Sequence, residues 1–125
     1  MIMGTTEQKV DYLRNVAKLM GFEIIEERGF SLPWTIRRKD GYAYTWNPFI
    51  SSENALEVLA TFPLYIIRNF HDSGCVGFTG HFDSTLFRGG TPLADDSFDE
   101  STEEIYRYMI VKTAAALYDH TNKEK

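Results

Sequence analysis

The sequence predicts an α/β domain of the α+β type: a single-domain sandwich with a mainly antiparallel sheet of about five strands and three helices, in the order α-β-β-β-α-β-β-α. Three observations carry that expectation. Apolar residues recur at helical spacing near both ends of the chain and again over Ala55, Leu56, Val58 and Leu59. Strand-forming runs lie between those segments, and two of them flank Lys39-Asp40-Gly41, where Asp-Gly is a strong hairpin signal. The 125 residues suit one domain and leave no room for two ordinary ones.

Each element has its own local reason. Thr5 and Gln8 have capping-box spacing, and Glu7 places an acid where the helix dipole favours it. Val10, Leu13, Val16, Ala17, Leu19 and Met20 then trace an apolar stripe that Gly21 ends, so a helix is expected over about 7–20. Phe22–Glu26 reads as a first strand, and Arg28–Pro33 as a connection broken by Gly29 and Pro33. Trp34–Arg38 and Tyr42–Trp46 form the hairpin arms. Alternation puts Trp34, Ile36 and Arg38 on one face, and Tyr42, Tyr44 and Trp46 on one face of the other arm.

Asn47-Pro48 ends that strand, because proline lacks a ladder donor and restricts its predecessor. Ser51 or Ser52 can cap a short helix that Pro63 limits. Leu64–Phe70 and Cys75–Phe82 read as strands around a His71–Gly74 turn, with Gly77 and Gly80 marking a bulge or a close backbone approach. Asp83–Asp96 reads as a long loop. Ser101 and Glu104 have capping-box spacing at the head of a last helix that reaches about His120. Residues 1–5 and 121–125 are expected to fray.

Composition narrows the function. An apolar fraction of 43% and an aromatic fraction of 14% argue against disorder and exceed what a minimal core needs. A net charge of -5 opposes nucleic-acid wrapping and anionic membranes. The α-β-β-β-α opening invites a double-stranded RNA reading, but Ser51-Ser52-Glu53-Asn54 brings no cation to the second helix. One cysteine, Cys75, no basic leader and no run of membrane-spanning length suggest a cytoplasmic protein. His71, His81 and His120 match no compact metal motif, so neither metal nor cofactor is expected. No nucleophile–base pair or nucleotide fingerprint defines a reaction class, so no enzyme is expected.

Two surfaces stand out. An aromatic and cationic pocket for a nucleotide-like small molecule would combine Trp34, Arg38, Tyr44 and Trp46 with Thr79, His81 and Arg88 from the glycine-rich stretch 74–90. The same aromatics equally suit the core side of a sheet. An acidic edge of Asp95, Asp96, Asp99 and Glu100 suits a basic protein partner, although acids there also solvate a loop and favour a helix start.

Several short motifs fit a known pattern. Val16-Ala17 with Met20-Gly21-Phe22 closes the first helix, and Trp46-Asn47-Pro48 with Ser51-Ser52 and Ala55 opens the second. Leu93-Ala94-Asp95 precedes Glu103-Glu104-Ile105 and the Ala114–Leu117 helix. In these features and their order the chain resembles the small phage "ABA sandwich" family. That resemblance implies an α/β sandwich in a phage or prophage setting, with no catalytic chemistry to carry over. It also implies an accessory protein that occupies a host component. The expectation is a non-enzymatic binder that counters host defence by blocking a host protein in the host cytoplasm. The alternative is sequestration of a nucleotide-like signal, and a homodimer stays open.

Overall fold

The computed structural model describes residues 4–70, 75–82 and 92–123. The elements are α1 (Thr6–Met20), β1 (Glu23–Glu26), β2 (Trp34–Arg37), β3 (Ala43–Trp46), α2 (Ser52–Thr61), β4 (Leu64–Phe70), β5 (Val76–Phe82), β6 (Ala94–Phe98) and α3 (Glu103–Lys123). The α+β class and the antiparallel pairing stand as expected. The expected single sheet of about five strands does not. Among the described residues six strands form two separate antiparallel sheets, β1-β2-β3 and β4-β5-β6.

The sixth strand begins within the stretch read as a loop, Asp83–Asp96, and runs two residues past it. Ala94-Asp95-Asp96-Ser97-Phe98 has three polar residues in five and little strand signature. Its alternation is nevertheless complete: Ala94 and Phe98 are buried, with Asp96 between them on the same side. Lys112 of α3 neutralises that inward acid at 3.2 Å, so a charge takes a half-buried position that an apolar residue would otherwise fill.

The break between the sheets falls at Asn47-Pro48. Asn47 is buried, and its side-chain amide donates to the carbonyls of Phe30 (3.0 Å) and Leu32 (2.9 Å). Its own side-chain oxygen accepts from the Phe49 amide at 2.9 Å, and its backbone N–H donates to Asn54 in the first turn of α2. One side chain thus ties the 28–33 connection to the end of β3 and the start of α2. Ser51 is the hydroxyl that caps α2.

The helices occupy the space between the sheets. α3 packs along β4, β5 and β6, α1 and α2 pack on α3, and α1 also meets β1. Being surrounded explains the composition of α3, which is buried at Ile105, Tyr108–Val111, Thr113–Ala115 and Leu117 rather than along one stripe. Gly80 sets how closely α3 approaches β5. A Cβ at Gly80 would stand 1.8 Å from Thr113 Oγ1 and 2.8 Å from Thr113 Cβ, so this glycine marks a close approach and not a bulge.

Two helix ends differ from expectation. At the head of α3 the Thr102 hydroxyl accepts from the Ile105 amide, while Ser101 accepts from Arg68 instead. Thr102 therefore caps, one residue later than the spacing suggested. At the other end the helix runs on to Lys123, and Thr121 and Asn122 both bond back to the Tyr118 carbonyl. At the N-terminus Thr5 and Gln8 form the expected capping box.

Candidate functional site

The first sheet turns its aromatic residues inward. Trp34 pairs with Trp46 and Ile36 with Tyr44 across β2 and β3. Both indoles are fully buried, and Phe22 packs edge-on against Trp46 at 5.7 Å and Tyr44 at 6.1 Å. Trp34 Nε1 donates to the Gly29 carbonyl. Trp46 Nε1 is buried without a hydrogen-bond partner among the described residues. Tyr44 is half-buried, and its hydroxyl donates to Glu57 of α2 at 3.1 Å. Burial, and secondarily the Glu57 charge, pushes the Tyr44 phenol up to about 12.

Arg38 stands at the hairpin turn, exposed and paired with Asp40 at 3.2 Å. Of the four hairpin residues assigned to a ligand pocket, then, two are core and one bridges to α2. Arg38 lines an open hollow of about 350 Å³, together with Lys39, Asp40, Phe22 and Glu57. Thr79 and His81 lie on β5 in the other sheet, so the structure does not join them to the hairpin. Arg88, His71, Asp83 and most of the 74–90 glycine-rich stretch lie outside the described residues.

What Thr79 does meet is Asp95. The β5–β6 register pairs Thr79 with Asp95 and Gly77 with Ser97, and the β4–β5 register pairs Gly77 with Asn69, Thr79 with Ile67 and His81 with Tyr65. The seven side chains of these eight residues share the face turned away from α3. Gly77 contributes no side chain, so a concavity of about 490 Å³ opens there, bordered by Asn69, Thr79, Asp95 and Ser97. Asp95 is exposed and makes no ion pair among the described residues. Tyr65 is 39% exposed at the same face. His81 Nε2 lies 3.1 Å from Thr79 Oγ1, while its Nδ1 is buried with no hydrogen-bond partner among the described residues.

The four acids of the predicted edge separate. Asp95 faces outward on the second sheet, Asp96 faces inward to Lys112, and Asp99 and Glu100 stand exposed in the turn before α3. Sequence reasoning missed Asn69 and Ser97, and it singled out Gly77 for a bulge, a close approach or a glycine-rich ligand stretch instead of this concavity. Their signal was the period-two pattern of β5, which marks Gly77 and Thr79 as one face, but without β6 nothing placed Ser97 beside them. Among the described residues no group of three His, Cys, Asp or Glu is arranged to hold a metal ion. Cys75 is a free, half-buried thiol just before β5. No described helix is long and apolar enough to cross a membrane.

No family model matches the chain, and no curated protein or solved structure matches it either.

Proposed function

We propose that the chain is a non-catalytic, phage-type accessory protein that counters host defence by binding a basic surface of a host protein and blocking it. The binding face is the outer side of the β4-β5-β6 sheet. One observation carries this reading: the Asp95 carboxylate, which makes no ion pair among the described residues, stands at a concavity with Asn69, Thr79 and Ser97, on a face that also holds half-exposed Tyr65. A carboxylate flanked by an amide and two hydroxyls complements the five donors of an arginine side chain. Neighbouring apolar surface supplies the water-excluding contact that such a pair needs to contribute affinity.

The test is differential capture from host lysate. Wild-type protein retains a basic host protein, Asp95→Lys loses it at least tenfold, and Arg38→Glu at the hairpin keeps it. Equal retention by wild type and Asp95→Lys rejects the reading.

A second reading has its own support. The hollow beside Arg38 and Lys39, with Phe22 in its wall, falls in the range of small-ligand sites and offers cations for a phosphate. Native mass spectrometry of lysate-exposed protein separates the two. A retained nucleotide-sized mass that Arg38→Glu removes supports sequestration and counts against the protein partner.

A further inference from the structure

Four segments meet at the head of α3 and leave a hollow of about 130 Å³ between them. Phe30 comes from the connection before β2, Phe49 and Ile50 from the turn before α2, Tyr108 from α3 and Lys9 from α1. Every residue that lines it is among the described residues. Polar ties outside the hollow hold its walls in place. The Asn47 amide fixes the Phe30 carbonyl at 3.0 Å, while the Asn47 side-chain oxygen accepts from the Phe49 amide at 2.9 Å. Arg107 Nε donates to the Phe49 carbonyl at 2.8 Å and anchors that turn to α3, where the Phe49 ring stacks on Tyr108 at 6.2 Å. Pinning both loops through their backbones opposes collapse of one wall onto the other, which is pre-organisation for a ligand.

The walls are largely aromatic, and the volume is close to that of the roughly 150 Å³ cavity that takes up benzene. Two charges stand in the lining. Lys9 Nζ lies 4.4 Å over the Phe30 ring, and Glu104 occupies the first turn of α3. Neither side chain makes an ion pair or a hydrogen bond among the described residues.

We infer that this hollow binds a free amino acid with one large apolar side chain, of the size of phenylalanine or leucine. The side chain fills the space between Phe30, Phe49, Ile50 and Tyr108, the carboxylate pairs with Lys9, and the ammonium pairs with Glu104. Each part of the ligand follows from a part of the wall. Apolar space of one ring's volume selects the side chain by burial. Lys9 has only a ring face beside it, and a carboxylate adds a charge-assisted hydrogen bond that the ring cannot. Glu104 is matched only by the start of its own helix, and an ammonium gives it a donor. A lone anion would meet Glu104 and a lone cation would meet Lys9, so a ligand carrying both charges fits better than either. None of these residues borders the Gly77 concavity or the Arg38 hollow, so this site stands or falls separately from both.

The experiment is isothermal titration calorimetry with L-phenylalanine as the probe. Saturable binding is expected in the millimolar range or tighter, and L-alanine, which leaves the hollow unfilled, should bind about tenfold more weakly or worse. Lys9→Met and Glu104→Gln, each folded by circular dichroism, should each weaken L-phenylalanine about tenfold, and Lys39→Met at the hairpin should not. N-acetyl-L-phenylalanine and L-phenylalaninamide each lack one charge and stand for the two ends of a peptide. Both should bind the wild type as weakly as the free amino acid binds the variants. No binding of L-phenylalanine, full affinity in Lys9→Met or Glu104→Gln, or either derivative matching the free amino acid overturns the inference.

Discussion

The outward faces of the two sheets are built by the same antiparallel pairing and carry opposite kinds of surface. On the first, Glu23 lies across from Arg37 and pairs with it at 3.4 Å, and Thr35 sits opposite Thr45. Charge is matched within the face between Glu23 and Arg37. On the second, Asp95 lies opposite Thr79 and its carboxylate makes no ion pair among the described residues, although Lys112 donates to its backbone carbonyl at 3.0 Å; a glycine concavity and half-exposed Tyr65 stand beside it. The inward faces reverse the order. The first sheet leaves a buried indole N–H unmatched at Trp46, while the second answers its one inward acid with Lys112. A surface that satisfies its own charge needs nothing further. One that leaves a carboxylate unmatched beside apolar area is where a second molecule gains most.

The largest expected effect breaks the second sheet from inside. Gly80→Ala drives a methyl into the Thr113 side chain, and trimming Thr113 to alanine gives little relief because its Cβ is itself 2.8 Å from the added atom. Urea unfolding should show a loss of about 3 kcal/mol or more. The next largest breaks the first sheet at its end. Asn47→Ala leaves the Phe30 and Leu32 carbonyls without their donor and should cost about 2–4 kcal/mol by the same measurement.

A smaller effect sharpens the contrast within the first sheet. Trp34→Phe and Trp46→Phe remove similar volume, but only Trp34 loses a hydrogen bond, and only Trp46 sheds an unmatched N–H. Trp34→Phe should be the more destabilising by about 1 kcal/mol. The smallest effect is in pH dependence. The Tyr44 phenol has a folded value of about 12 against an ordinary 10, so the folded state holds this proton more tightly than the unfolded state. Its contribution is complete below pH 10 and is lost as pH rises through about 12. Tyr44→Phe should therefore flatten the alkaline fall in urea midpoint across that window, relative to wild type.

Local chemistry was readable wherever a short segment decides its own conformation. The Thr5–Gln8 box, the Gly21 end of α1, the Asp40-Gly41 hairpin and the Pro48 and Pro63 stops all depend on residues within a turn or two. The second sheet was harder to see, because β6 is a strand by virtue of its partners. Asp96 is tolerated inside only because Lys112 of α3, sixteen residues away in sequence, reaches it at 3.2 Å. The candidate face was hidden for the same reason. Asn69, Thr79 and Ser97 come together through register across three strands, and no spacing along the chain encodes it. The aromatic hairpin was ambiguous in sequence, since a dense aromatic face suits a core and a ligand equally. Burial of both indoles resolves the ambiguity for Trp34 and Trp46.

The most direct test of the open-face account is carboxyl footprinting of the protein, free and after capture of its host partner. In the free protein Asp95 should react readily, while Asp96, held by Lys112, and Glu57, held by Tyr44, react slowly. On capture Asp95 should become protected and Asp40 at the hairpin should not change. Protection of Asp40 with Asp95 still reactive would contradict the account and move the binding face to the first sheet.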